Sequence, residues 1–259
     1  MSLIRAFARA LLRPARPQRP VRLLRALART PGIFDVASMT LQLRDARRVE
    51  RITDDYAVKD DHHVMVQDYN ASVTQKHAIH ATRRAEEYYQ ILDLPPRDVA
   101  SERLLIVGPR NIMEFYIAWT YGFSWKHMTG IDLYSTNPKI LVMNMEAMTF
   151  PDESFDAIAM SATLAYAQDV ETTLREMWRV LKPGGHFAFG QTYTPGSDLW
   201  PGNKISGAQT KAMLDAIGFE VYHYHPASKT NSLGLQQTSH RFGVRKPDPA
   251  RPHFDRAPV

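Results

Sequence analysis

The chain has no cysteine among its 259 residues. Disulfides, thiolate metal ligands and cysteine nucleophiles are thereby excluded. No apolar run approaches the ~20 residues needed to cross a bilayer. Acidic residues are missing from positions 1–34, which hold eight arginines. Subtracting those 8 from the formal net charge of +5 leaves −3 for residues 35–259. The sequence pI of 9.4 is therefore largely a property of the N-terminal arm. The body by itself gives no charge-based case for nucleic-acid binding. Arginines interrupt the start, and no small-residue cleavage site follows, so a secretory signal is not expected. Internal repeats are absent too.

What is present begins with that arm. Leu3, Phe7 and Leu11 share one helical face, and Arg5, Arg9 and Arg13 repeat every four residues on another. Pro14, Pro17 and Pro20 break this helix. A second basic segment sets Leu23, Leu24 and Leu27 beside Arg22, Arg25 and Arg29. Several readings of residues 1–30 stand: an anionic membrane surface, an acidic protein partner, an organelle transit peptide, or a solvated basic tail. The expected localisation is cytoplasmic, with peripheral membrane attachment as an option.

The remainder reads as an extension, a core and a tail. A basic arm covers 1–34 and a helical extension or cap covers 35–100, with one helix spanning Thr74 to Leu92 and ending before Pro95-Pro96. Strand signals then alternate with helix signals. Strands are expected at Leu104–Val107, His127–Asp132, Ile140–Met143, Phe155–Met160, His186–Gly190, Phe219–Tyr224 and Arg241–Arg245. Helices are expected at Asn111–Tyr121, Val170–Leu181 and Gln209–Ile217, the first opened by an Asn111 and Glu114 capping box. This alternation predicts an α/β domain over 101–246. It would be a Rossmann-like, seven-stranded, mostly parallel sheet with helices on both faces, preceded by the helical extension. Residues 247–259 form a proline-rich tail.

One stretch carries more than fold. It runs Leu104-Leu105-Ile106-Val107-Gly108-Pro109-Arg110-Asn111, then Gly130-Ile131-Asp132, Phe150-Pro151-Asp152-Glu153-Ser154-Phe155-Asp156 and Arg179-Val180-Leu181-Lys182-Pro183-Gly184-Gly185. In order and spacing it resembles the nucleotide half of the class I S-adenosylmethionine (SAM) dependent methyltransferases, type 11-like. Around the glycine-rich turn it diverges. Gly108 matches the family's first glycine, but Ile106 replaces an acid, and Arg110 and Ile112 replace the next two glycines.

The resemblance implies SAM as cofactor and names a binding set. Gly108 lets the backbone approach the ligand. Asp132, 24 positions on and at a strand end, would accept hydrogen bonds from ribose hydroxyls. The side-chain oxygen of Asn144 would accept from the adenine amino group. Met145 would lie against the ring, though core packing explains a methionine equally well. Ser161 would sit beside the donor. Arg110 has two open readings: a fork on the donor carboxylate, or a partner for Glu114 or another nearby acid that seals the pocket. Ala165-Tyr166 stands where many family members carry a Glu-His pair.

No catalytic residue is assigned. Methyl transfer demands alignment and exclusion of water, and a base only for a protonated, weakly acidic acceptor. Tyr193 and His223 are candidates for acceptor-side roles. No histidine group has convincing metal spacing, so no metal is expected. The expected function is SAM-dependent methylation of a small-molecule or lipid-like acceptor. The alternative is a catalytically inactive methyltransferase-like subunit or scaffold. An NAD-dependent oxidoreductase is disfavoured by the missing G-x-G-x-x-G and the lack of an evident Tyr-Lys pair.

Overall fold

The structure is a computed structural model, and it describes residues 19–45, 50–51, 64, 85–135, 137–193, 204–230 and 236–250. The amphipathic segment 3–13 and most of the expected helix Thr74–Leu92 lie outside the described residues. The strands are β1 (Glu50–Arg51), β2 (Leu104–Val107), β3 (Met128–Asp132), β4 (Tyr134–Ser135), β5 (Ile140–Val142), β6 (Phe155–Met160), β7 (Leu181–Tyr193), β8 (Glu220–Thr230) and β9 (Gln236–Arg245). The helices are α1 (Arg19–Ala28), α2 (Pro31–Asp45), α3 (Glu86–Asp93), α4 (Met113–Thr120), α5 (Val170–Val180) and α6 (Gly207–Ile217).

Seven strands form one sheet in the order β5-β3-β2-β6-β7-β9-β8. The first five run parallel, and β9 pairs antiparallel with both β7 and β8. The expected seven-stranded, mostly parallel sheet is thus the observed one. The apolar run Leu104–Val107 is buried on both faces because side chains alternate. Leu104 and Ile106 enter the core with α1 to α4, whereas Leu105 and Val107 enter the core with α5 and α6.

Boundaries differ from the sequence reading in places with clear causes. Lys182–Gly185 reads as a tight turn. In the structure β7 already starts at Leu181, and the chain bulges between the pairs Phe155–Leu181 and Ala157–His186. Gly184 has φ +77°, and its N–H donates to Lys246 O at 2.8 Å. The β8–β9 hairpin extends well past the expected strands, because its outer half is polar and shows no apolar alternation. Asn111 Oδ1 does accept Met113 N–H at 2.9 Å, at the start of α4. Glu114, the expected box partner, instead lies close enough to Tyr89 to raise its pKa, after burial.

The helical extension packs on the sheet domain through α1 and α2. Ala28 and Phe34 are buried, and Tyr116 Oη donates to Ala28 O at 3.1 Å. The Phe34 and Tyr116 rings lie 5.5 Å apart. The second basic segment of the arm is therefore docked helix, and not a solvated tail. No helix among the described residues is long and apolar enough to cross a membrane.

Candidate functional site

Strand order reverses between β2 and β6, which both start near the sheet centre and diverge in connection. Open parallel sheets hold ligands at such a switch point, at the carboxyl ends of the strands. Here that position is a cleft lined by Gly108, Asp132, Leu133, Asn144, Met145, Thr163 and Tyr166, among others. About 30 Å³ of it is enclosed, and about 410 Å³ lies between its walls with the mouth included.

The floor is the turn from β2 into α4. Gly108 has φ +69°, and its N–H donates to Ile131 O at 2.8 Å. A Cβ on Gly108 would fall within the Thr163 side chain, 2.8 Å from its Cβ. Glycine is thus required both by the backbone angle and by the neighbour. Arg110 follows at φ +38°, a strained angle for a residue with a side chain. Its backbone N–H donates to Asp132 Oδ2 at 3.3 Å.

Asp132 closes β3 and faces this turn. Its Oδ1 also accepts Leu133 N–H at 2.7 Å. Burial pushes its pKa up to about 6, although these backbone bonds and the Arg110 charge pull the other way. At neutral pH it is a desolvated carboxylate with lone pairs to spare, suited to accept from a diol.

The far wall is Met143, Asn144 and Met145. Asn144 Oδ1 accepts Glu146 N–H at 2.9 Å, so it shapes its own turn and keeps one lone pair for a ligand. Glu146 Oε1 in turn accepts the N–H groups of Gln168 and Asp169 at 2.6 and 3.0 Å, tying this wall to the start of α5. Below it, Arg179 donates to Phe150 O, Met148 O and Asp152 Oδ1 at 2.7 to 2.9 Å, and pairs with Glu176 at 2.7 Å. The Arg-Val-Leu-Lys-Pro-Gly-Gly motif thus supports the cleft through its first residue.

The roof follows β6. Ala162 has φ +56°, and the turn it makes puts Thr163 Oγ1 3.3 Å from Val107 O. A 3-10 turn, Leu164–Tyr166, then brings Tyr166 to the cleft.

The family described as a methyltransferase domain matches residues 121–189. The chain is also similar to ubiquinone/menaquinone biosynthesis C-methyltransferases UbiE. That of Hahella chejuensis is 44% identical over 115 residues, 40% of this chain and 46% of the relative. That of Marinomonas sp. is 29% identical over 123 residues, 40% of this chain and 48% of the relative. Residues 121–189 thus resemble a methyltransferase domain.

The chain spans about half the length of these curated relatives. In fold, the chain is similar to 1,6-didemethyltoxoflavin-N1-methyltransferase of Burkholderia thailandensis, with TM-score 0.51 and 15% identity. That match covers 72% of this chain and 87% of the other.

Gly108, Asp132, Asn144 and Met145 line one cleft. Arg110 stands beside it. Among the described residues its guanidinium makes no ion pair, so the pairing with Glu114 is not observed. Ser161 directly follows β6 and does not line the cleft. Tyr193 ends β7, and its side chain lies outside what is described. His223 sits on β8, the outermost strand, three strands from β6. Its pKa is lowered by burial, then by His225 and Arg241. Thr163 was not singled out from the sequence, and Tyr166 was noted only as standing where a Glu-His pair is usual. Their placement depends on the left-handed turn at Ala162, which alanine does not announce.

Proposed function

We propose that this protein transfers a methyl group from SAM to a small-molecule or lipid-like acceptor. The carrying observation is the meeting of the Gly108 turn, the Asp132 carboxylate and the Asn144–Met145 wall at the sheet's switch point. The chemistry of these groups fits the donor. Asp132 would hold the ribose diol, Asn144 and Met145 the adenine, and Tyr166 the open side of the ring. Arg110 would hold the carboxylate, since its guanidinium makes no ion pair among the described residues although its charge reaches Asp132.

SAM, when bound, supplies a methyl carbon activated by an adjacent sulfonium. The chain's residues then have positioning work: Gly108 admits the ligand, Asp132 orients it, and the walls exclude water. The similarity to quinone-biosynthesis C-methyltransferases supports a quinone-like aromatic acceptor. The basic arm supports capture of such an acceptor at an anionic membrane surface. Calorimetry with SAM and with its demethylated product tests the donor assignment. Micromolar binding that Asp132→Ala abolishes is expected.

A second reading, an inactive methyltransferase-like scaffold, is favoured by one observation. The enclosed space is narrow, so the donor needs the Gly108–Arg110 turn or Tyr166 to move outward. Absence of binding at millimolar donor would select this reading. Liposome flotation with and without residues 1–30 tests the arm; equal flotation removes the membrane proposal.

A further inference from the structure

A second cavity, of about 330 Å³, opens at the opposite end of α4 from the donor cleft. Arg25, Arg29 and Arg97 line it, with Asp93, Asp98 and Tyr121. Two of the three arginines have local work. Arg29 Nη2 donates to Thr120 O at 2.5 Å, a cation on the carbonyl end of α4, and its guanidinium lies 4.1 Å from the Tyr121 ring. Arg97 pairs with Glu102 at 2.5 Å and donates twice to Leu92 O.

Arg25 does not share this. It lies over the Trp119 ring at 5.5 Å, but among the described residues it has no hydrogen-bond acceptor and no ion pair. Its Nε is buried without a partner. Burial, and then the charge of Arg29, lowers its pKa. Holding a guanidinium this way is costly unless an anion arrives. The two acids do not fill that role. Asp93 and Asp98 are exposed, neither pairs with Arg25, and Asp98 Oδ1 accepts Ala100 N–H at 3.2 Å.

We infer that this cavity binds a phosphate monoester between Arg25 and Arg29. Two guanidiniums one helical turn apart match a dianion better than a carboxylate, and planar forks suit phosphate oxygens. The volume exceeds what the phosphate group needs, so an organic substituent fits with it. Bound there, the ester bridges α1 to the end of α4 and fastens the N-terminal helices to the methyltransferase domain. The source is either a soluble ester or a lipid headgroup.

Calorimetry on the full chain with glycerol 3-phosphate, at ionic strength matched by chloride, tests this. Binding is expected, weakened about ten-fold or more by Arg25→Gln and unchanged by Arg175→Gln on the far helix α5. Flotation on phosphatidic acid vesicles separates the sources. Flotation lost in Arg25→Gln and competed by glycerol 3-phosphate assigns the headgroup, and calorimetric binding alone assigns the soluble ester. Should Arg25→Gln fail to fold, the Arg25 Nε–H resonance of the wild-type chain still decides, because it must shift on adding the ester. No heat at millimolar ester, binding indifferent to Arg25→Gln, or an unmoved Arg25 resonance would each overturn the site.

Discussion

Gly108 and Thr163 share one space: the Cβ that any other residue would place at Gly108 falls 2.8 Å from Thr163 Cβ. Gly108→Ala adds this clash to the cost of a positive φ. A loss of about 1–3 kcal/mol is expected, with donor binding abolished. Thr163→Gly in the same chain should restore part of the stability, since the angle strain remains. Thermal unfolding and calorimetry measure both. A Gly108→Ala protein that binds donor normally would remove Gly108 from the site.

Asp132 gives the cleft a pH response. Its folded pKa of about 6 lies above the ordinary carboxylate range because of burial. The folded state therefore binds this proton more tightly than the unfolded chain. Its contribution to stability is fully present below the unfolded pKa of about 4 and is lost as pH rises through about 6. Ligand binding should run the other way if, as proposed, the ionised form accepts the ribose hydroxyls. Donor affinity should fall as pH drops from 7 to 5. Asp132→Asn should be more stable than wild type at pH 7 yet bind donor poorly and without this pH dependence. A pH-independent wild-type affinity would contradict the role.

Much of this was readable in the sequence, and the limits have physical causes. Asp132 was legible because an acid closing a buried strand has few structural uses. Gly108 was legible because only glycine follows a strand into that turn. The cleft positions of Thr163 and Tyr166 were hidden because a left-handed alanine, Ala162, sets them. Strand order was not legible, and it sets His223 on the edge strand, with β9 and β7 between it and β6. The second basic segment resembled a solvated tail because nothing in its pattern reveals Trp119 and Tyr121 as the rings its arginines meet.

Arg179 should prove structural and not chemical. It joins Glu176, Asp152 and two backbone carbonyls beneath the Met143–Met145 wall. The Glu176 bond raises its already high pKa further. Arg179→Ala should cost about 2 kcal/mol, and donor affinity should weaken through the displaced wall. Arg179→Lys keeps the charge but loses the fork, and should recover less than half of that stability. Denaturant unfolding of the three proteins measures the order. Equal stability of Arg179→Ala and wild type would show the hub to be idle.

Arg110 offers the sharpest separation of folding from function. Its backbone sits at φ +38°, where glycine is comfortable and arginine is strained. Arg110→Gly should therefore raise the melting temperature, by about 1 kcal/mol in stability. The N–H bond to Asp132 survives the change because it belongs to the backbone. If the guanidinium holds the donor carboxylate, the same substitution should weaken SAM binding about ten- to hundred-fold. Decarboxylated SAM, which lacks that group, should bind wild type and Arg110→Gly alike. A variant that gains stability and keeps its SAM affinity would place the carboxylate elsewhere and leave Arg110 as a strained plug in the turn.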